Sequence, residues 1–347
     1  MSAVRVSLVD TSLRDGMSSV SHQFTTEQVA AVARGLDRAG VRTIEVAHGI
    51  GLGASSIQYG FAAATDVEYV RAAVDAVGNA DIAVLYVPGI ATLGELDQAR
   101  EAGASTVRVA VHCTEADCAE QPVAWARDHG MRVMTFLMMS HKLGPAQLAE
   151  QARKLEGYGA QVIYVVDSAG ALVPRGAADR VAALREAVNA DLGFHAHNNL
   201  GVGIGNALAA VENGAHYIDG SLRGLGASAG NAQTEVLAAA LERAGYDTGV
   251  DLFTLIDTAE RTMAPLMKEP QIIDETALVL GYAGVYSTFF HPTKRAAKKY
   301  GVPEREILLE LGRRGVIGGQ EDMIIEVAAE LRAARPWPGP AWHPLPS

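Results

Sequence analysis

A beat that repeats through the first two-thirds of the chain does most to restrict its fold. An apolar run rich in Val and Ile is followed by a loop, an amphipathic helical pattern, a glycine, and another apolar run. The glycine junctions are regular: Ala39-Gly40-Val41, Ala102-Gly103-Ala104, His129-Gly130-Met131, Tyr158-Gly159-Ala160 and Asn213-Gly214-Ala215. Each places glycine where a helix needs a left-handed stop ahead of the next strand.

Read as strands, the apolar runs number about eight. They are Val6–Asp10, Thr43–Ala47, Ile82–Val87, Thr106–His112, Val133–Met139, Val162–Asp167, Gly193–His197 and Tyr217–Leu222. Helical patterns such as Thr25–Ala39 and Pro145–Tyr158 lie between them, the first capped by Thr25 or Thr26 with Glu27 and Gln28 close behind. Strands that are apolar on both faces and alternate with helices form a parallel sheet covered by helices. This predicts an α/β fold, a closed (β/α)8 TIM barrel over residues 1–250. The alternative is an open doubly wound sheet. No Gly-x-Gly-x-x-Gly follows the first strand, and Gly201-Val202-Gly203-Ile204-Gly205 has the wrong spacing and comes late.

From Asp251 the strand-like runs stop. Helical patterns follow over Leu252–Met267, Glu275–Tyr282, Pro292–Tyr300, Pro303–Arg314 and Asp322–Ala334, broken by Pro265, Pro270, Pro292 and Pro303. Residues 251–334 are expected to form a small all-helical domain. Its unusually apolar stretch Ala277–Tyr286 packs either on the barrel or at a subunit interface. The tail 335–347 alternates Pro with Trp and Gly and is expected to be disordered.

A net charge of -11 argues against broad contact with nucleic acid or an anionic membrane surface. The two cysteines, Cys113 and Cys118, have no metal-ligand spacing, so the expectation is no disulfide framework and a reducing cytoplasm. Neither a secretory signal nor a run long enough to span a bilayer is visible.

His195 and His197 share one face of the seventh strand, about 7 Å apart, and make half of a transition-metal site. In a TIM barrel the chemistry gathers at the C-terminal strand ends. The first strand leads into Asp10-Thr11-Ser12-Leu13-Arg14-Asp15-Gly16, the sixth ends in Asp167-Ser168-Ala169-Gly170, and the eighth leads into Asp219-Gly220-Ser221-Leu222-Arg223. First and seventh strands lie two apart around a closed ring. One carboxylate with two imidazoles and open positions suits a substrate-activating divalent ion.

Thr11-Ser12-Leu13-Arg14-Asp15-Gly16 together with His195-Ala196-His197-Asn198-Asn199 resembles the DRE-TIM metallolyase superfamily. Within it, Glu45-Val46-Ala47-His48-Gly49, Asp167–Gly170 and Leu222–Asn231 resemble the 4-hydroxy-2-oxovalerate aldolases, over nearly the whole chain. The resemblance implies that Asp15, His195 and His197 bind Mn2+, with Mg2+ or Co2+ as substitutes. It also implies cleavage of 4-hydroxy-2-oxo acids to pyruvate and a short aldehyde. Arg14 would hold the developing enolate oxygen, its alternative being a structural ion pair with Asp15 or Asp10. Ser168 matches the serine that binds the pyruvate carboxylate, the alternative being a local turn bond. Tyr286 matches a tyrosine that reaches the substrate from the appendage, the alternative being a core tyrosine. Asp10 would orient the ligands from behind. Cys113 has no evident partner. The implied partner is an acylating acetaldehyde dehydrogenase that docks on the appendage and takes the aldehyde through a channel.

One position departs from that family. Ser18 stands where its members carry a histidine that acts as general base on the C4 hydroxyl. A serine hydroxyl is far too weakly basic for this work. Either His22 or His48 substitutes, or a metal-bound water does so, or the chain is slow or inactive. His22 also matches a residue that is usually structural. Two other readings stay open. One is a Claisen-type acyl-CoA synthase or lyase of the same superfamily, although those tend to read His-x-His-Asn-Asp where this chain has Asn199. The other is a partner subunit that stabilises a dehydrogenase without turning over.

Overall fold

The computed structural model describes residues 4–335, so residues 336–347 of the expected disordered tail lie outside it. Eight parallel strands close into a barrel in sequence order. They are β1 (Ser7–Leu13), β2 (Thr43–Val46), β3 (Asp81–Tyr86), β4 (Thr106–His112), β5 (Arg132–Met138), β6 (Val162–Asp167), β7 (Asp191–Ala196) and β8 (Ala215–Gly220). The intervening helices are α1 (Thr26–Arg38), α2 (Asp66–Val74), α3 (Leu93–Glu101), α4 (Glu120–Asp128), α5 (Pro145–Tyr158), α6 (Pro174–Ala187) and α7 (Gly203–Glu212). The helix α8 (Thr234–Arg243) follows the last strand.

The local signals behave as their chemistry dictates. Thr25 and Gln28 form a reciprocal cap at α1, bonding each other's backbone N–H at 3.3 and 2.8 Å. Gly40, Gly103, Gly130, Gly159 and Gly214 all adopt positive φ, between 73° and 111°. Gly193 serves the barrel interior instead. A Cβ there would meet the Tyr164 ring at 2.5 Å, so its absence makes room for the tyrosine across from β7.

Three strand boundaries differ from the periodicity reading in ways that matter to the site. β1 runs past Asp10 to Leu13, with a register shift against β2 between those residues. The strand β7 stops at Ala196, and His197 pairs with Asn231 in an isolated antiparallel bridge. β8 stops at Gly220, and the loop after it folds back: Asn198 N–H donates to Gly230 O and Ala232 N–H to Ala196 O. That return brings the 224–231 loop over the barrel mouth.

The C-terminal helical region comprises α9 (Leu252–Thr258), α10 (Glu275–Ala283), α11 (Phe290–Tyr300), α12 (Glu304–Arg314) and α13 (Met323–Ala333). The single helix expected over Leu252–Met267 is divided: after Thr258 the chain passes through a π turn and a 3₁₀ turn. Pro265, which cannot donate, sits where the register changes. Pro292 lies in the first turn of α11, where an N–H has no intrahelical partner, so it starts rather than breaks that helix. This region has its own apolar cluster, including Leu280, Val285, Phe289, Ile307, Leu311 and Val327. The apolar stretch in α10 is split between uses: Ala277, Leu280 and Gly281 are buried, while Leu278 and Tyr282 are exposed. Among the described residues, no helix is long and apolar enough to cross a membrane.

Candidate active site at the barrel mouth

Arg14 and Asp15 sit where β1 gives way to a short 3₁₀ turn, Asp15–Ser18. His195 lies on β7 and His197 just beyond it. The fold brings the three expected ligands together, each offering an atom within 4.8 Å of the others, and all are buried. Both imidazoles aim Nε2 at Asp15 Oδ2, at 3.9 Å from His195 and 3.8 Å from His197. Those separations are too long for hydrogen bonds and leave a gap between the donors.

The tautomers follow from the neighbours. His195 Nδ1 stands 2.8 Å from Asp219 Oδ2, and Arg108 pairs with the same oxygen. Burial works against the Asp219 charge, but Arg108 outweighs it and holds the carboxyl below its ordinary range. Nδ1 must therefore donate, which leaves the Nε2 lone pair directed at the gap. At Asp15 burial is again outweighed, by Arg14 and then by the two histidines, and its pKa falls to about 2. Burial pushes His197 down to about 4, so its imidazole is neutral near neutral pH. His197 Nδ1 and Asn231 Oδ1 are among the buried polar atoms here that have no protein partner. Asn231 Nδ2 donates to Asp15 Oδ2 at 2.5 Å. One ionised carboxylate and two imidazoles with Nε2 facing the gap fit a divalent cation.

A buried ionic relay supports this set. Arg14 Nε donates to Glu45 Oε2 at 2.7 Å, and its Nη1 donates to Asp15 Oδ1 at 3.1 Å. The same Glu45 oxygen lies 3.0 Å from Arg108 Nη1. Arg108 is wholly buried and its guanidinium stacks over Phe136 and Tyr164, 4.3 and 4.9 Å from the ring centroids. The chain of contacts runs Arg14, Glu45, Arg108, Asp219, His195, and links Arg14 to one of the two imidazoles.

A cavity of about 350 Å³ opens above the ligands, lined by Arg14, Asp15, Ser18, Ser168 and Tyr286 among others. Ser168 Oγ accepts from Met139 N–H at 2.9 Å, a bond across to the β5 mouth in place of a local turn bond. Its carbonyl accepts from Ser287 Oγ at 2.7 Å, which ties the helical region to the β6 mouth. Tyr286 is half-buried, and burial, then the Asp15 charge, pushes its hydroxyl up to about 12. His22 stands outside this cavity, stacked on His48 with ring centroids 3.7 Å apart. Asp10 bonds Ser12 N–H and Thr234 Oγ1, and none of the three ligands; Asp219 occupies the place behind a ligand that was expected of Asp10. Cys113 donates its thiol to Met139 O, and burial raises its pKa to about 11.

The site residues not foreseen are Glu45, Arg108, Asp219 and Asn231. A glutamate and an arginine inside otherwise apolar strands were the available signal, since such charges are rarely buried without partners. Glu45, Asp219 and Asn231 stand in stretches already singled out, but with no role drawn for them.

A closed parallel barrel with an aspartate, two imidazoles and an arginine at its C-terminal mouth defines a (β/α)8-barrel enzyme with a candidate divalent-cation centre. The HMGL-like family model matches residues 5–261, and that of the DmpG-like communication domain matches residues 271–333. The chain belongs to the 4-hydroxy-2-oxovalerate aldolase family, whose members are carbon–carbon lyases. It is 80% identical to 4-hydroxy-2-oxovalerate aldolase 2 of Rhodococcus jostii (strain RHA1), over 97% of this chain and 98% of that one. It is 54% identical to the 4-hydroxy-2-oxovalerate aldolase of Carboxydothermus hydrogenoformans, over 96% and 99%. In fold it is also similar to the carboxyl transferase domain of Rhizobium etli pyruvate carboxylase solved with pyruvate. There the TM-score is 0.79 at 18% identity, over 95% of this chain and 61% of that one.

Proposed function

We propose that this chain is a divalent-metal-dependent aldolase that cleaves 4-hydroxy-2-oxopentanoate and related 4-hydroxy-2-oxo acids to pyruvate and a short aldehyde. The observation that carries the reading is the convergence of Asp15, His195 and His197 beside Arg14. Those three residues would hold the ion, with Mn2+ favoured and Mg2+ or Co2+ as substitutes. When bound, it supplies Lewis acidity to the keto oxygen of a 2-oxo acid.

The rest belongs to the protein. Glu45 holds Arg14 at Nε, and Asp15 and the Gly49 carbonyl hold it at Nη1, while Nη2 has no hydrogen-bond partner among the described residues, so the guanidinium is pre-positioned for an oxygen that gains charge as C3–C4 breaks. Ser168 already accepts from Met139 and keeps its own proton for a substrate carboxylate. Tyr286, protonated at any working pH, closes the cavity from the helical region and can donate to the substrate.

The matched communication domain supports docking of an acylating acetaldehyde dehydrogenase on the helical region, which would receive the aldehyde through a channel. Ser18 leaves one competing reading, a subunit that binds the dehydrogenase and turns over slowly. The test is pyruvate release from 4-hydroxy-2-oxopentanoate with EDTA, then with Mn2+ restored. Release that EDTA abolishes and Mn2+ recovers supports the aldolase; no release under either condition sinks it.

A further inference from the structure

A second cavity, of about 1080 Å³, lies between the barrel mouth and the helical region. Ser18, Tyr59, Thr288 and Glu321 are among the residues that line both it and the cavity over the ligands, so they mark the neck between the two. Aldol cleavage needs a proton acceptor for the C4 hydroxyl, and Ser18 is too weakly basic to be one.

Of the histidines nearby, His22 and His48 are committed elsewhere, and His112, bonded to Thr114 Oγ1 through Nδ1, lines the cavity over the ligands but not the neck. His22 Nδ1 accepts from Gly49 N–H at 3.3 Å, and burial, then His48, pushes its pKa down to about 4. His48 accepts from Ile50 N–H at 3.2 Å and its Nε2 faces Gly60 O at 3.0 Å. Among the residues shared by the two cavities, Glu321 carries the only carboxylate and none is a histidine.

Glu321 is also held in place. Thr288 Oγ1 donates to its Oε1 at 2.9 Å. The turn before it is stapled by Ile317 N–H to Gln320 Oε1 at 3.0 Å and lies against Tyr286, where a Cβ on Gly318 would meet the ring at 2.9 Å. Its charge is felt by the hydroxyls of both Tyr286 and Tyr59.

We propose that Glu321, delivered from the helical region, is the proton acceptor for the C4 hydroxyl in this chain. This rests on the aldolase reading. The O–H proton passes to the carboxylate, the oxygen's electron pair forms the aldehyde carbonyl, and the C3–C4 pair becomes the pyruvate enolate. The enolate then takes a proton at C3 and the carboxylate is free again.

The experiment compares two substrates on the full Mn2+-loaded chain and its Glu321→Gln variant. One is 4-hydroxy-2-oxopentanoate. The other is oxaloacetate, which reaches the same enolate by losing CO₂ and has no hydroxyl proton to remove. The expected result is a ~10²–10⁴-fold fall in kcat for cleavage with decarboxylation unchanged. Adding Ser18→His to that variant is expected to restore part of the cleavage. Equal loss on both substrates, as a merely structural role would give, overturns the proposal, as does no loss on either. A wild-type chain that decarboxylates oxaloacetate but leaves the hydroxy acid intact overturns the aldolase reading and this proposal with it.

Discussion

Asp219 and His195 are locked to each other: the histidine Nδ1 donates to Asp219 Oδ2 across 2.8 Å, while Arg108 holds the same oxygen from beneath. An asparagine at position 219 keeps the shape and loses the charge. The Asp219→Asn variant is expected to bind Mn2+ ~10–100-fold more weakly, because the imidazole is no longer fixed with Nε2 as the ligand atom. A competitive chelator titration reads this. It should also unfold more easily, by about 3–5 kcal/mol, because Arg108 is left with one buried partner in place of two. Unchanged affinity would mean that the tautomer is set by something else.

The barrel was legible because its information is local and periodic. Gly40, Gly103, Gly130, Gly159 and Gly214 each report a helix end without reference to anything distant. The meeting of the three candidate ligands was legible for a related reason, since strand order alone carries residues on β1 and β7 to one mouth. The supporting charges were not. Arg108 meets Asp219 across 111 positions and Asn231 meets Asp15 across 216, and neither pairing leaves a periodic trace. Asp10 shows the same limit from the other side. Its place on the strand that leads to Arg14 and Asp15 suggested that it orients the ligands from behind, whereas its carboxylate turns to Thr234 at the start of α8.

Gly193 is the cheapest place to test how tightly the barrel interior is filled. It lies on β7, two residues before His195, and a methyl group there would overlap the Tyr164 ring at 2.5 Å. Backbone conformation is not the obstacle; the ring is. The Gly193→Ala variant is therefore expected to lose about 1–3 kcal/mol through overpacking, read from the denaturant midpoint. Adding Tyr164→Leu should recover part of the loss. If the single variant is as stable as the parent, the tyrosine has room to move and the fit is looser than these contacts imply.

Asp10 gives the pH-dependent prediction. It is wholly buried, and desolvation raises its pKa from 3.8 to about 6 despite hydrogen bonds from Thr234 and Ser12. The folded chain therefore keeps this proton more tightly than the unfolded chain does. Below about pH 4 both states are protonated and Asp10 leaves stability unaffected. As pH rises towards 6 the unfolded chain ionises first, and stability is lost, by up to about 3 kcal/mol for a shift of this size. Asparagine can still accept from Ser12 N–H and donate to the Thr234 hydroxyl, but it does not titrate. The Asp10→Asn variant should accordingly gain on the parent protein between about pH 4 and pH 7, measured as the difference in unfolding free energy at the two ends. Asp167, also raised to about 6 by burial, remains in both proteins and cancels from the comparison. A gap that stays constant or narrows with pH would show that Asp10 is ionised in the fold, held by Thr234 and Ser12 strongly enough to offset its burial.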